Sequence, residues 1–256
     1  MRIRGFAPST PCWVELTASD PDDAAGFYAG LFGWQVEGDR FLLDGNAVAG
    51  IGRTRPERSE GWLTYLAAPD LQTTITDVTN AYGRQLTWPE ERHGARTAVM
   101  ADASGAMFGL WQAAGFAGAQ LRGEPGTMEW SDLITDDVTA ATRFYGSVFG
   151  WTLTQEFGSS EWLSEAHDSV AGLITGRYDV RWQPSFQVAD TTEAIDRCAG
   201  LGGRVISGPV EMGLGSYVEM VDPHGAPFAV TAPVHRPVEL NVAYNDIIGM
   251  ELTYGG

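Results

Sequence analysis

The chain repeats itself. Residues 12–34, CWVELTASDPDDAAGFYAGLFGW, and residues 129–151, EWSDLITDDVTAATRFYGSVFGW, align at a constant offset of 117. Trp13 falls on Trp130, Leu16 on Leu133, Asp20 on Asp137, Phe27-Tyr28 on Phe144-Tyr145, and Phe32-Gly33-Trp34 on Phe149-Gly150-Trp151. Val48-Ala49-Gly50 and Val170-Ala171-Gly172 form a second anchor, and Asp102 to Phe108 matches Asp222 to Phe228 at an offset of 120. Ordered matches at nearly constant spacing mark a duplication. The predicted layout is a first domain over 1–116, a linker over 117–126, a second domain over 127–235 and a tail over 236–256. The tail carries a strand-like run, Val238 to Tyr244, with no counterpart in the first half.

Each repeat reads as β-α-β-β-β followed by a second β-α-β-β-β, which places the chain in the α+β class. The opening strand is Cys12 to Thr17. A helix follows, with Ser19 or Asp20 as N-cap, Pro21 in the first turn and Gly33 as its end. Its apolar stripe is Ala24, Phe27, Tyr28 and Leu31, at i, i+3, i+4 and i+7. Short strands are expected at 41–43, 47–51 and 62–67, a helix at 71–82, and strands at 97–101 and 107–111. Helices of the second repeat are expected at 138–149 and 191–201.

Composition narrows the partners. The net charge is −17, and lysine is absent, so every basic residue is arginine. Such a field repels phosphate and concentrates cations, which argues against nucleic acid and against an anionic membrane surface. No apolar run approaches the ~18 residues that span a bilayer, and no apolar segment follows the arginines near Met1. Cys12 and Cys198 stand in no paired motif, which fits a reduced, cytoplasmic setting. A monomer acting as an internal pseudo-dimer and a homodimer are both compatible with the duplication.

The opening strand, the D-x6-FY-x3-FGW segment and the closing D-P-x-G-x-P-F strand, complete at Asp222 to Phe228, resemble the vicinal oxygen chelate superfamily of glyoxalases, bleomycin-resistance proteins and extradiol dioxygenases. The resemblance covers nearly all of residues 10–233, once per repeat. It implies tandem glyoxalase-like domains, each built of paired βαβββ modules whose curved sheet forms a cup. It also implies where a divalent metal would be held: at Trp13 or Trp130 on the opening strand, near Thr64 or Pro184 on a middle strand, and at Gly109 or Ala229 on the closing strand. None of these side chains is a metal donor. His93, His167, His224 and His235 fall outside those strands, so no metal and no other cofactor is expected.

Strand alternation then assigns faces. With Trp13 turned into its cup, Glu15 shares that face, and Trp130 and Asp132 do the same in the second repeat. Met107, Gly109 and Trp111 line the first cup from its closing strand. The small residues Gly109 and Ala229 leave space. Tryptophan is abundant, and Trp62 and Trp182 also fall on strands. Candidate ligand-binding residues are Trp13, Glu15, Trp62, Met107, Trp111, Trp130, Asp132 and Trp182. A rigid aromatic wall with one carboxylate suits a flat, aromatic, cationic molecule. The plain alternatives are that the tryptophans are core and that Glu15 and Asp132 are tied to arginines.

Two functions stand open. One is metal-independent binding of an aromatic natural product, for antibiotic sequestration or as an accessory to aromatic polyketide or anthracycline biosynthesis, as the resemblance implies for relatives lacking metal ligands. The other is cofactor-independent isomerase, cyclase or lyase chemistry, with Glu15 or Asp132 as general base. A metal enzyme with an atypical ligand set drawn from Glu15 or Glu219, and a degenerate scaffold, are the remaining alternatives.

Overall fold

A computed structural model describes residues 1–55, 60–156, 159–176, 179–212 and 215–233. The tail, its run Val238 to Tyr244 and His235 lie outside the described residues. The first repeat builds β1 (Pro11–Ala18), α1 (Pro21–Phe32), β2 (Gln35–Glu37), β3 (Arg40–Leu43), β4 (Asn46–Arg53) and β5 (Gly61–Ala67), then α2 (Leu71–Asn80), β6 (Arg84–Gln85), β7 (Glu90–Arg92), β8 (Ala95–Ala101) and β9 (Met107–Ala113). These strands form one curled sheet in the order β2-β3-β4-β1-β5-β9-β8-β6, with β7 paired to β8. The second repeat gives β10 (Met128–Ile134), α3 (Val138–Phe149), β11 (Thr152–Glu156), β12 (Ser159–Leu163), β13 (Ser169–Ile174), β14 (Arg181–Gln187), α4 (Thr191–Gly200), β15 (Arg204–Met212), β16 (Gly215–Val221) and β17 (Pro227–Pro233). Its sheet runs β11-β12-β13-β10-β14-β17-β16-β15. Two tandem βαβββ pairs are thus present, and the short β2, β6 and β7 escape a periodicity reading because they hold only two or three residues each.

The helix ends follow from their cap residues. Asp20 accepts from the Asp23 N–H, Pro21 occupies the first turn, and Gly33 closes α1 at φ 74°. Asp137 and Gly150 repeat the arrangement on α3, with Gly150 at φ 69°. A left-handed C′ position is where a residue without a Cβ is favoured.

The two largest buried clusters are shared between the halves, and a smaller one around Trp13, Tyr65 and Trp111 belongs to the first repeat alone. One buried cluster joins Val14, Leu16, Phe27, Tyr28 and Phe41 of the first repeat to Phe186, Val218, Met220 and Phe228 of the second. The other joins Leu66, Val78, Met100 and Phe108 to Leu133, Phe144, Trp151 and Trp162. The helix-bearing face of each sheet therefore packs against the other repeat, leaving the opposite, concave faces as the two cups. At the centre, Thr64 and Ser131 share a hydrogen bond of 3.2 Å. Two reciprocal struts flank it. Tyr28 donates to Asp222 at 3.1 Å while the Trp62 indole donates to Tyr28 at 2.8 Å. Tyr145 donates to Asp102 at 3.0 Å while Trp182 donates to Tyr145 at 2.9 Å. The repeated FY and D-x2-G segments are the two ends of these struts, which explains their presence without any ligand. Among the described residues, no helix is long and apolar enough to cross a membrane.

Candidate functional site

Around Trp13 the first cup is filled by the chain itself. The register of β1 on β5 sets Trp13 opposite Tyr65 and Glu15 opposite Leu63, and β9 and β8 extend that face with Gly109, Trp111, Val99 and Thr97. Trp13 and Glu15 are fully buried. The Trp13 ring meets Trp111 at 5.8 Å and the edge of Phe116 at 5.2 Å. The turn between β7 and β8 delivers two more groups. His93, held at φ 53°, lies nearly parallel to Trp111 at 6.2 Å and tilted against Trp13 at 5.9 Å. Arg92 closes on Glu15, Nη2 to Oε1 at 2.5 Å and Nε to Oε2 at 3.0 Å, and the Tyr65 hydroxyl donates to the same carboxylate at 3.4 Å. A buried carboxylate is tolerable because it is paired and hydrogen-bonded on several sides.

The second cup carries different side chains at the matching positions. Leu63 is answered by Gln183, Tyr65 by Ser185, Val99 by Glu219 and Trp111 by Thr231, while Trp130, Asp132 and Ala229 repeat the pattern of Trp13, Glu15 and Gly109. Two rings are gone and four polar groups stand in their place. The hydroxyl oxygens of Ser185 and Thr231 are buried and have no hydrogen-bond partner, which is costly in a native interior and points to a missing acceptor or donor. A polar chain crosses the floor. Arg181 Nη2 donates to Gln183 Oε1 at 2.6 Å, Gln183 Nε2 donates to the Tyr217 hydroxyl at 3.1 Å, and Tyr217 donates to Glu219 Oε1 at 3.4 Å. Burial, with the negative charges of Asp132 and Glu219, pushes the Tyr217 phenol up, so it remains a donor.

Asp132 is strongly perturbed. Burial raises its carboxyl first, Glu219 and Glu161 add like charge, and the Trp130 indole N–H pulls the other way; the outcome is pushed up to about 7. Gly172 lies beneath it, where any side chain would run into the Asp132 carboxylate and the Trp130 indole. Gly50 plays the same part under Trp13 and Glu15. The repeated Val-Ala-Gly anchor thus makes room for an inward tryptophan and acid. Trp130 stays partly exposed, and with Phe6, Arg122, Trp151 and Val170 it lines a cavity of about 580 Å³.

Several expectations need correction. Trp62 and Trp182 do not enter the cups: Leu16 faces Trp62 and Leu133 faces Trp182, which turns both indoles to the inter-repeat side, where they bond Tyr28 and Tyr145. They line a cavity of about 160 Å³ at the seam, together with Thr17, Leu63, Val99 and Met107 from the edge of the first cup. Thr64 and Pro184 share that inner face, so the middle-strand cup positions are Tyr65 and Ser185. Gly109 leaves no free space, because the Tyr65 ring lies where its Cβ would be. Glu15 is tied to an arginine, and Trp13 and Trp111 are packed core. Met107, Trp130 and Asp132 sit on cup faces as read. Tyr65, Arg92, His93, Gln183, Ser185 and Tyr217 were missed. Carrying the offset of 120 through 61–67 and 95–101 would have exposed all but Arg92 and His93, which arrive on a turn whose reach no periodicity reports.

The cups do not suit a metal. The ligand positions implied by the fold hold Trp13, Tyr65 and Gly109 in one cup and Trp130, Ser185 and Ala229 in the other. Among the described residues, no three His, Cys, Asp or Glu side chains are grouped so as to hold an ion.

Residues 12–136 match the Glyoxalase/Bleomycin resistance protein/Dioxygenase superfamily, and residues 130–231 match the glyoxalase-like domain family. Anthracycline biosynthesis protein DauV of Streptomyces sp. (strain C5) is 34% identical, covering 93% of this chain and 96% of that protein. Anthracycline biosynthesis protein DnrV of Streptomyces peucetius is 33% identical, covering 88% and 94%. Among solved structures, the Mn(II)-bound glyoxalase from Novosphingobium aromaticivorans superposes with a TM-score of 0.64 at 16% identity, over 89% of this chain and 83% of that one. The 2,3-dioxygenase LapB from Pseudomonas sp. KL28 gives 0.62 at 14% identity, over 89% and 93%. These two likenesses speak to fold alone.

Proposed function

The chain belongs to the glyoxalase/bleomycin resistance protein/dioxygenase superfamily, and from that premise we propose that its second cup, and not its first, receives a planar aromatic polyketide of the kind handled in anthracycline biosynthesis. The observation that carries this reading is the unequal fate of the two matched tryptophans. Trp13 is sealed under Phe116, His93 and Trp111, whereas Trp130 remains partly exposed on a cup face where Ser185 and Thr231 replace the rings of Tyr65 and Trp111. An indole face supplies stacking area at little conformational cost, and Ser185, Thr231 and Gln183 supply polar groups for the oxygens that rim such a ring system. Holding the ligand in this way calls for no metal. Two relatives named for anthracycline biosynthesis support the assignment of ligand class.

Titration with an anthracycline should quench the intrinsic tryptophan emission saturably. Trp130→Ala should weaken binding about 30-fold, the size of a ~2 kcal/mol hot spot, while Trp88→Phe, at an exposed indole, should leave it unchanged. Unaltered affinity in Trp130→Ala would remove the second cup from consideration. A second reading is favoured by the Asp132 carboxyl, poised at about 7, which is where a general base works best near neutral pH. Under that reading Asp132→Asn abolishes product formation from the bound polyketide and spares its binding.

A further inference from the structure

Among the described residues, the first cup holds a cation that the second one does not. Arg92 and His93 together place a guanidinium against the inward acid Glu15 and a flat ring between Trp13 and Trp111. Arg92 pairs with Ala95 across the β7–β8 turn, and in the second repeat the residue paired with Gly215 across β15–β16 is Met212. The same offset of 120 relates both members of the pair, so in the sequence the position of the first repeat's arginine falls on an uncharged residue in the second. The inward acid and the inward tryptophan are nevertheless kept, as Asp132 and Trp130.

We infer that the molecule received by the second cup is an organic cation, an aromatic ring system bearing a protonated amine that seats against Asp132 as Arg92 seats against Glu15. This rests on the proposed function and names the ligand more closely. Glu219 and Glu161 deepen the negative potential around Asp132, and the overall charge of −17 favours the approach of a cation. The guanidinium of Arg181 does not serve as the counter-charge, since its three nitrogens are engaged by Gln183 and Asp179. The Ser185 hydroxyl, buried on the cup face beside Trp130, has no hydrogen-bond partner among the described residues and offers a donor to a polar ligand group. A cation entering this site relieves the like-charge crowding that now resists ionisation of Asp132.

Three probes with one ring system separate the possibilities: an amino-sugar anthracycline, its N-acetylated form and its neutral aglycone, titrated calorimetrically against the full-length protein at pH 7.5. The free amine should bind about tenfold more tightly than the N-acetylated form, and Asp132→Asn should erase that difference while leaving aglycone affinity in place. Equal binding of amine and N-acetyl forms by the wild-type protein, a comparison that needs no variant, would overturn the inference and leave the proposed function standing. A preference for the amine that survives Asp132→Asn would also overturn it. Binding of none of the three would remove both.

Discussion

Cut after Arg122, the chain is expected to yield two halves that do not fold when made separately. Each half would expose the face that now packs on the other: Val14, Leu16, Phe27 and Tyr28 lose Phe186, Met220 and Phe228, and Leu66, Met100 and Phe108 lose Leu133, Phe144 and Trp162. Each fully buried side chain of this size is worth roughly 1.5–3 kcal/mol, so losing a handful exceeds the roughly 5–15 kcal/mol that holds a typical domain folded. The buried acids of the two struts, Asp102 and Asp222, would lose their tyrosine donors at the same time. Near-ultraviolet circular dichroism and thermal melts should show no cooperative transition for either half, and a cooperative one when the halves are expressed together. A first half that melts cooperatively by itself would show that its core is complete without the second.

Arg92→Ala should destabilise the protein by about 3–5 kcal/mol, the usual consequence of stripping a buried carboxylate of its cation. Adding Glu15→Gln to that variant should recover much of the loss, because the uncompensated charge goes with it. Asp132→Asn should act in the opposite sense. The folded-state pKa of Asp132, about 7, lies above its ordinary value of 3.8, so its ionisation opposes folding. That contribution is fully favourable below pH 4 and is lost as pH rises toward 7. The amide variant should therefore match the wild type near pH 4 and exceed it at pH 8, by no more than about 4 kcal/mol at 1.36 kcal/mol per unit. Chemical denaturation across that pH range reads both effects. Parallel stability curves for wild type and Asp132→Asn would mean that the carboxyl is not strained.

The contrast between the cups was only half legible in the sequence. Duplication, helix ends and the inward Trp-x-acid pair could be read because they rest on local rules: a capping Asp, an αL glycine, and a period of two along β1 and β10. Register could not. Whether Trp62 faces the cup or the partner repeat depends on which residue of β1 lies opposite it, and one residue of slippage exchanges the two faces. Cup filling was hidden for another reason. Tyr65 over Gly109 and His93 over Trp111 are contacts between distant segments, so the empty positions at Gly109 and Ala229 looked alike until Tyr65 and Ser185 were placed on their floors. Compositional acidity pointed toward cations, yet it took the Arg92–Glu15 pair to show which acid would meet one.

Whether one cup or two accept a ligand is answered most directly by counting sites in an isothermal calorimetric titration of the intact chain with an anthracycline. A single site per chain is predicted, unaltered when the Trp13 cup is changed by Tyr65→Phe and weakened about 30-fold in Trp130→Ala. Two equivalent sites, or a single one of unchanged affinity in Trp130→Ala, would contradict the assignment of binding to the second cup.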